Sequence, residues 1–559
     1  MPGMDETFDF VVVGSGGGSM CAALFMRSVG KSVLILEKTE LVGGTTSRSG
    51  GVMWIPNNRF MKAEGVEDSD EKAMAYLDAV VDATDAPGAT RERRLTYVQE
   101  GARMVDFLVS QGVKLRRVDY WPDYYDERDG GSEHGRTVVA ELFNVNELGL
   151  WKDKLRPGML DMELKLEEGW PLSTFRRSWA GKKVLARVMA RTMVSRLTGR
   201  KLVTAGQALQ GRMLQAALKA GVDIRNNAAV KEVIVEDGKV TGVVAVVNGR
   251  ERRIGAASGV LINAGGFARN QAMRDKYIPG TSAEWTNSAE GDTGDMHIEL
   301  MRIGAAVAQM DERVGNQMMT PPGHKGLNPM IQADLAKPHA ILVDRTGVRY
   351  LNEGGSYMQF VQSMLKRNKD VPAVPSWMIV DSQFMRKYML AGTMPGSKKP
   401  QAWFDEGWAR QGATPEELAT ACGFEPQTFK ATLERYNASV RAGRDAEFGR
   451  GERAYDRWLG DPVEGKKVSA TLGTLEEGPF FAIPVLPGDV GTFGGVVTDT
   501  HSRVLREDGS IVPGLYATGN TTASVMGRTY PGAGASVGPS FTWGYVAAKH
   551  AANAENWAA

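Results

Sequence analysis

The sequence predicts an α/β fold, a parallel sheet flanked by helices and interrupted by an inserted α+β domain. Three observations carry this. A strand, a glycine-rich turn, a helix and a second strand succeed one another between Phe8 and Glu37. Apolar strands ending in glycines recur at Val260–Phe267 and Gly514–Asn520. Between about 312 and 489 the chain changes to many prolines, tryptophans and mixed helices, without glycine turns after strands.

The first unit opens on Phe8-Asp9-Phe10-Val11-Val12-Val13, a run too short and too β-branched for anything but a buried strand. Gly14-Ser15-Gly16-Gly17-Gly18-Ser19 follows, then a helical pattern through Met20, Ala23, Leu24, Met26 and Arg27. A second strand, Val33–Leu36, ends on Glu37 and Lys38. Such a turn lets backbone N–H groups approach a pyrophosphate, and the helix N-terminus adds partial positive charge. Glu37, 23 residues after Gly14, is placed to accept hydrogen bonds from a ribose diol. Ser19 stands where this fingerprint has its third glycine, which disfavours the closest helix–strand packing. Glycine turns also occur for structural reasons alone; here the strand, helix and acid at the required spacing decide for a dinucleotide. The next loop, with Gly43, Gly44, Thr45, Ser49, Gly50 and Gly51, is dense in hydroxyls and N–H groups. A nicotinamide domain has no standard use for it, whereas an extended FAD needs a second cradle for its ribityl and flavin end. The unit is therefore a Rossmann-like FAD-binding domain.

A chain of 559 residues should hold more than one domain, and 42% hydrophobic residues suffice for substantial cores. A net charge of +1 gives no global attraction to nucleic acid. Cys21 and Cys422 are the only cysteines and the six histidines are scattered, so neither a disulfide framework nor a metal site is expected. The uncharged run Phe10–Met26 has an acidic N-terminal flank and is broken by glycines and serines, so it is not a signal sequence. The chain is expected in the cytoplasm.

Ser69 to Val109 reads as helices without a motif. Tyr120-Trp121-Pro122-Asp123-Tyr124-Tyr125 is an aromatic cluster on a proline-broken loop, either a local core plug or the wall of an apolar pocket. Trp170 to Lys201 carries nine Lys or Arg and no acid. Val184, Leu185, Val188, Met189, Met193, Val194 and Leu197 recur there at helical spacing, with Lys183, Arg187 and Arg191 on the other side. An apolar face opposed by a purely basic one fits a helix lying in an anionic membrane surface; the alternative is an ordinary surface helix packed on the core. Gln207 to Gly266 returns to the first domain, with a hairpin turning at Asp237-Gly238 and a buried strand ending in Ala264-Gly265-Gly266. Residues 312–489 form the inserted substrate domain. Residues 490–559 then complete the FAD-binding domain begun by 1–311, closing on Tyr530-Pro531-Gly532-Ala533-Gly534 and a terminal helix.

Taken in order, Gly43-Gly44-Thr45-Thr46, Ser49-Gly50-Gly51, Trp54-Ile55-Pro56, Ala264-Gly265-Gly266-Phe267, Gly514–Asn520 and Tyr530–Gly534 resemble the 3-ketosteroid Δ1-dehydrogenases, within the fumarate-reductase-like group of FAD flavoproteins. The likeness spans the chain except Leu150 to about Lys201, which looks like an insertion. It implies 1,2-desaturation of a 3-ketosteroid or 3-ketosterol, with an external electron acceptor. It implies catalysis by Tyr124, Tyr357, Tyr530 and the Gly534 amide. Tyr530 and Gly534 would polarise the C3 oxygen, Tyr357 would take the C2 proton with help from Tyr124, and flavin N5 would take the hydride from C1. An ordinary tyrosine is a poor base near neutral pH, so the surroundings of Tyr357 are expected to shift it. Val230, Ala264, Gly265, Gly519, Asn520, Ser536 and Val537 are the remaining cofactor contacts implied. A dicarboxylate oxidoreductase on the same scaffold would need clustered Arg and His, and only His324 and His339 occur in 312–489. A Δ4-(5α)-steroid dehydrogenase fits the Tyr-Pro-Gly-Ala-Gly run less well, and a flavin-bound sterol carrier without turnover is the reading from another class.

Overall fold

The structure is a computed structural model that describes residues 3–554. Its main sheet has eight strands. The path runs Arg503–Leu505, Ile511–Ala517, Arg250–Ile262, Glu6–Val13, Val33–Leu36 and Asp223–Arg225. Glu6–Val13 pairs in parallel with both neighbours, Val11 opposite Val260 on one side and Leu34 on the other. The predicted hairpin, Ala228–Glu236 with Lys239–Val247, branches antiparallel from Arg250–Ile262. Strand side chains alternate between two cores: Phe10, Val12 and Ile35 pack into one, Val11, Val13, Leu34 and Leu36 into the other. Both faces are covered, which is why these strands read as unbroken apolar runs.

Helix Gly17–Ser28 follows the first strand directly and packs on the terminal helix Val537–Ala551. Their approach is close enough that a Cβ on Gly17 would overlap the Phe541 ring, and one on Gly544 would lie 2.3 Å from the Gly18 carbonyl oxygen. The glycines after Gly14 thus serve a helix–helix contact as much as a turn.

A second, antiparallel sheet joins Arg313–Met318, Phe480–Thr492, Ser376–Val380 and Ala340–Val343, with Arg410–Gly412 beside Phe480–Thr492. Helix Tyr357–Arg367 lies on its first strand, where Gly315 leaves room for Val361. A small sheet of Val52–Trp54, Thr137–Ala140 and Leu115–Arg117 stands between.

The basic stretch forms Trp179–Leu197, and it corrects the expected division into an apolar and a basic face. Val184 and Val188 pack inward on Leu164, whereas Met189, Met193, Val194 and Leu197 are exposed. Arg191, placed by periodicity on the wet side, folds onto Glu168, with Nη1 and Nη2 each donating at 2.8 Å to its carboxylate. The acid that balances the helix sits just before the stretch, where a count begun at Trp170 misses it. Trp170, Arg176 and Arg177 then anchor the segment to Gly460, Pro395 and Asp461. No helix among the described residues is long and apolar enough to cross a membrane.

Gly544→Ala should lower the unfolding free energy by ~1–3 kcal/mol, because the added methyl has only backbone to meet. Urea denaturation reads this as a lower midpoint at unchanged slope; an unchanged midpoint would show the two helices standing further apart.

Candidate active site

The parallel strands end together, and a cavity of about 380 Å³ opens beyond Val13, Leu36, Asn263 and Gly519, at their C-terminal ends. One end is walled by the two glycine loops. Gly14 adopts φ 94°, where a Cβ would lie 2.2 Å from the Asn263 carbonyl oxygen, so only glycine fits this turn. The Ser15 hydroxyl donates to Glu37 Oε2 at 2.6 Å and accepts the Gly43 N–H at 2.9 Å, tying the first loop to the second. Glu37 Oε1 takes the Thr39 N–H and hydroxyl at 2.9 and 2.8 Å, which leaves lone pairs for a diol. Lys38 reaches Thr293 and Asp295 at 2.6 and 2.7 Å.

Of the cofactor residues expected from sequence, Gly14, Ser15, Gly16, Glu37, Lys38, Gly44, Thr45, Ser49, Gly50 and Gly51 line the cavity. Val230, Ala264, Gly265, Gly519, Asn520, Ser536 and Val537 complete that wall. Gly18, Ser19 and Gly43 stand behind it. Gly18 packs on the Ser540 carbonyl, the Ser19 hydroxyl meets the Asn263 side chain at 2.9 Å, and Gly43 is turned to Ser15. Gly18 and Ser19 support the cradle from behind because the helix that carries them faces the terminal helix. Expected as a loop, the second glycine stretch makes a short helix at Gly44–Arg48.

These residues fit an extended dinucleotide. The helices starting at Gly17 and Val537 have no bond from an N-cap side chain and no acid in their first turns, so their positive ends are uncompensated by a carboxylate; the Gly17 N–H meets the Thr46 hydroxyl at 3.4 Å and the Gly538 N–H donates to the Gly534 carbonyl at 2.8 Å.

At the other end three tyrosines from distant segments meet. Tyr357 opens its helix, Tyr530 follows the last long loop, and Tyr124 is fixed by its N–H donating to the Pro531 carbonyl at 2.9 Å. Ring centroids are 5.0 Å apart for Tyr357 and Tyr530, 5.4 Å for Tyr124 and Tyr357, and 5.9 Å for Tyr124 and Tyr530. All three line the cavity with Gly534, while Tyr125 turns to Arg453, whose guanidinium lies 5.5 Å from its ring. The aromatic cluster at 120–125 is thus divided between core and wall. The Tyr530 hydroxyl sits 3.1 Å from Ser536 Oγ and within hydrogen-bonding reach of the Gly534 backbone.

Burial, then the neighbouring Tyr124 and Tyr530, push the Tyr357 phenol well above the ordinary tyrosine range. Burial raises Tyr124 and Tyr530 as well. The protein's own groups therefore do not lower the Tyr357 phenol as a base near neutral pH would require; they distribute its hydrogen bonding over Tyr124 and Tyr530.

Sequence reasoning missed several lining residues. Asp292, pushed up to about 6 by burial, contacts Gly266; Gln332 donates to Tyr455; and Arg156, Met159 and Leu166 come from the segment read as an insertion. Tyr455 packs on Tyr124 with centroids 4.2 Å apart and the rings tilted by 31°. No periodicity marks any of these; only the extra tyrosine near Trp458 could have drawn attention.

A trough walled at one end by two glycine loops and at the other by three phenols defines an FAD-dependent oxidoreductase, and the FAD binding domain family matches residues 9–537. Among known proteins, the chain is 36% identical to 3-oxosteroid 1-dehydrogenase of Mycobacterium tuberculosis, over 98% of this chain and 99% of that one. It is 34% identical to 4-oxocyclohexanecarboxylate 2-dehydrogenase of Sinomonas cyclohexanicum, over 97% and 92%. The crystal structure of 3-ketosteroid Δ1-dehydrogenase from Sterolibacterium denitrificans, in complex with 1,4-androstadiene-3,17-dione, superposes with a TM-score of 0.91 at 32% identity, covering 98% of this chain and 100% of that one. The chain belongs to the 3-oxosteroid 1-dehydrogenase family.

Glu37→Gln keeps the shape but removes the charge that Ser15 and Thr39 address, so FAD affinity should fall by about tenfold or more. Flavin fluorescence on dialysis measures it; full retention of FAD would place the ribose elsewhere.

Proposed function

We propose that the protein introduces a C1–C2 double bond into 3-ketosteroids. The carrying observation is the convergence of the Tyr530 hydroxyl and Gly534 amide beside Tyr357 and Tyr124. The two donors address the C3 oxygen and stabilise the enolate that forms as C2 loses its proton. Tyr357 in its ionised form receives that proton at its phenolate oxygen and becomes the neutral phenol, and Tyr124, hydrogen-bonded to it, shares the charge beforehand. Bound FAD supplies the acceptor for the C1 hydrogen with its electron pair, and an external acceptor completes the cycle. The C1–C2 bond takes up the electrons left by the C2 proton.

Substrate charge supports a neutral ring ketone. The cations lining the cavity among the described residues are Lys38, Arg48 and Arg156, all bound to segments 39–41 or 288–295 on the dinucleotide side. A dicarboxylate at the tyrosine end would find no partner there. Met159, Leu166, Leu327 and Met330 give the cavity an apolar margin, which favours a 3-ketosterol that keeps its side chain.

The outer surface of Trp179–Leu197 supports peripheral contact with an anionic membrane from the cytoplasmic side. Trp179 and Leu197 are each 77% exposed, among exposed Lys182, Lys183 and Arg196. Aromatic and basic side chains together match the headgroup boundary.

Tyr357→Phe should retain FAD and steroid affinity and lose about 100-fold or more in kcat, measured as flavin bleaching by a Δ4-3-ketosteroid; near-normal bleaching would reassign the base. Because the Tyr357 phenol is raised, its ionised fraction grows with pH, and the bleaching rate should climb between about pH 7 and about pH 9. A flat profile would place proton removal outside the rate. Turnover of cholest-4-en-3-one should exceed that of androst-4-ene-3,17-dione; the reverse order would remove the side-chain reading. Trp179→Ser with Leu197→Ser should release the protein from anionic liposomes in co-sedimentation, and unchanged pelleting would end the membrane reading.

A further inference from the structure

The residue before Tyr124 is a buried acid outside the cavity wall, and its partners lead to the other catalytic loop. Asp123 Oδ1 accepts the Trp54 indole N–H at 2.8 Å, and Oδ2 accepts Arg136 Nη1 at 2.8 Å and the Ser132 N–H at 3.1 Å. Arg136 is fully buried and spends its other donors on Asp68, at 2.9 and 2.7 Å, and on the Gly130 carbonyl at 2.9 Å. Its guanidinium lies 5.7 Å from the Trp54 ring and 5.4 Å from that of Tyr76. Trp54 meanwhile donates its backbone N–H to the Gly534 carbonyl at 3.2 Å. Tyr76 donates its hydroxyl to the Pro531 carbonyl at 2.6 Å, the same oxygen that holds the Tyr124 N–H. Gly532 passes so close to Trp54 that a Cβ there would lie 2.4 Å from its ring.

One tryptophan therefore holds both halves of the machinery: its backbone N–H grips the loop of Gly534, and its indole N–H grips the acid next to Tyr124. We propose that Asp123, oriented by Arg136 and bonded to Trp54, is a positioning residue that sets the separation of Tyr124 from the Tyr530–Gly534 donor pair. The inference rests on the desaturation reading above. Neither Asp123 nor Trp54 faces the cavity, so they act through the loops they join. A network that merely filled space would leave the isotope effect of the C2 hydrogen unchanged when its N–H is lost. A positioning network would not, because displacement by about 1 Å costs up to about 100-fold in rate.

The experiment uses the FAD-loaded full chain with Trp54→Phe, which keeps an aromatic ring but deletes the indole N–H together with the fused five-membered ring, and Asp123→Asn, which keeps the shape and deletes the charge. The wild type is assayed first: if a Δ4-3-ketosteroid does not bleach its flavin, the desaturation reading itself falls, and this inference with it. With an active wild type, both variants should keep the flavin spectrum and the KM within about threefold, and lose about 10- to 100-fold in kcat. The isotope effect of C2-deuterated steroid on bleaching should rise, a change that general loosening would not produce. The double variant should be no slower than the slower single one, as expected when both break the same bond. Wild-type kcat with an unchanged isotope effect in flavin-loaded Trp54→Phe would overturn the proposal, as would losses that multiply in the double variant. Should Asp123→Asn fail to bind flavin, the Trp54→Phe result alone decides.

Discussion

The structure depends on holding three phenols, from positions 124, 357 and 530, within one ring's reach of each other. Nothing local to any of them can do this. Tyr357 rides on a helix packed on the second sheet, Tyr530 on the loop that enters the terminal helix, and Tyr124 on a loop that returns to a small third sheet. Tyr124 and Tyr530 share a backbone support: the Pro531 carbonyl, next to Tyr530, receives both the Tyr124 N–H and the Tyr76 hydroxyl. Because carbonyls and glycines cannot swing as side chains do, the spacing is set by the path of the chain.

The same economy shapes the dinucleotide end. Ser15 is both donor and acceptor between the two glycine loops, so the loops and Glu37 are one hydrogen-bonded unit. Close contact of helix Gly17–Ser28 with the terminal helix brings Ser536 and Val537 to the cavity beside residues from the beginning of the chain. The last helix is thereby part of the first domain's core.

Much of this was legible in the sequence, for physical reasons that differ by element. Buried parallel strands leave unbroken apolar runs, and a turn that must take φ near 94° leaves a glycine, so the first unit could be read to within a few residues. The tyrosines could be reached only through resemblance, since a phenol in a pocket and a phenol in a core look alike. The third-dimension contacts of Asp123, Tyr455 and Arg156 left no periodic trace at all. The basic helix was misread in its faces because one carboxylate outside the window, Glu168, turns Arg191 inward. Counting charges along a helix cannot show which of them a neighbouring turn neutralises.

Arg156 bears on how the protein is built. Its N–H donates to the Val42 carbonyl at 2.9 Å, its own carbonyl accepts the Ser47 hydroxyl at 2.5 Å, and its guanidinium spans Thr39 and Glu290. The segment that follows lays Met159 and Leu166 along the cavity. This stretch thus lies along the trough, tied by its backbone to the second glycine loop. A strip so tied makes the rim of the trough one with its floor, so it cannot shift without breaking the bonds that hold the Val42 and Ser47 stretch in place.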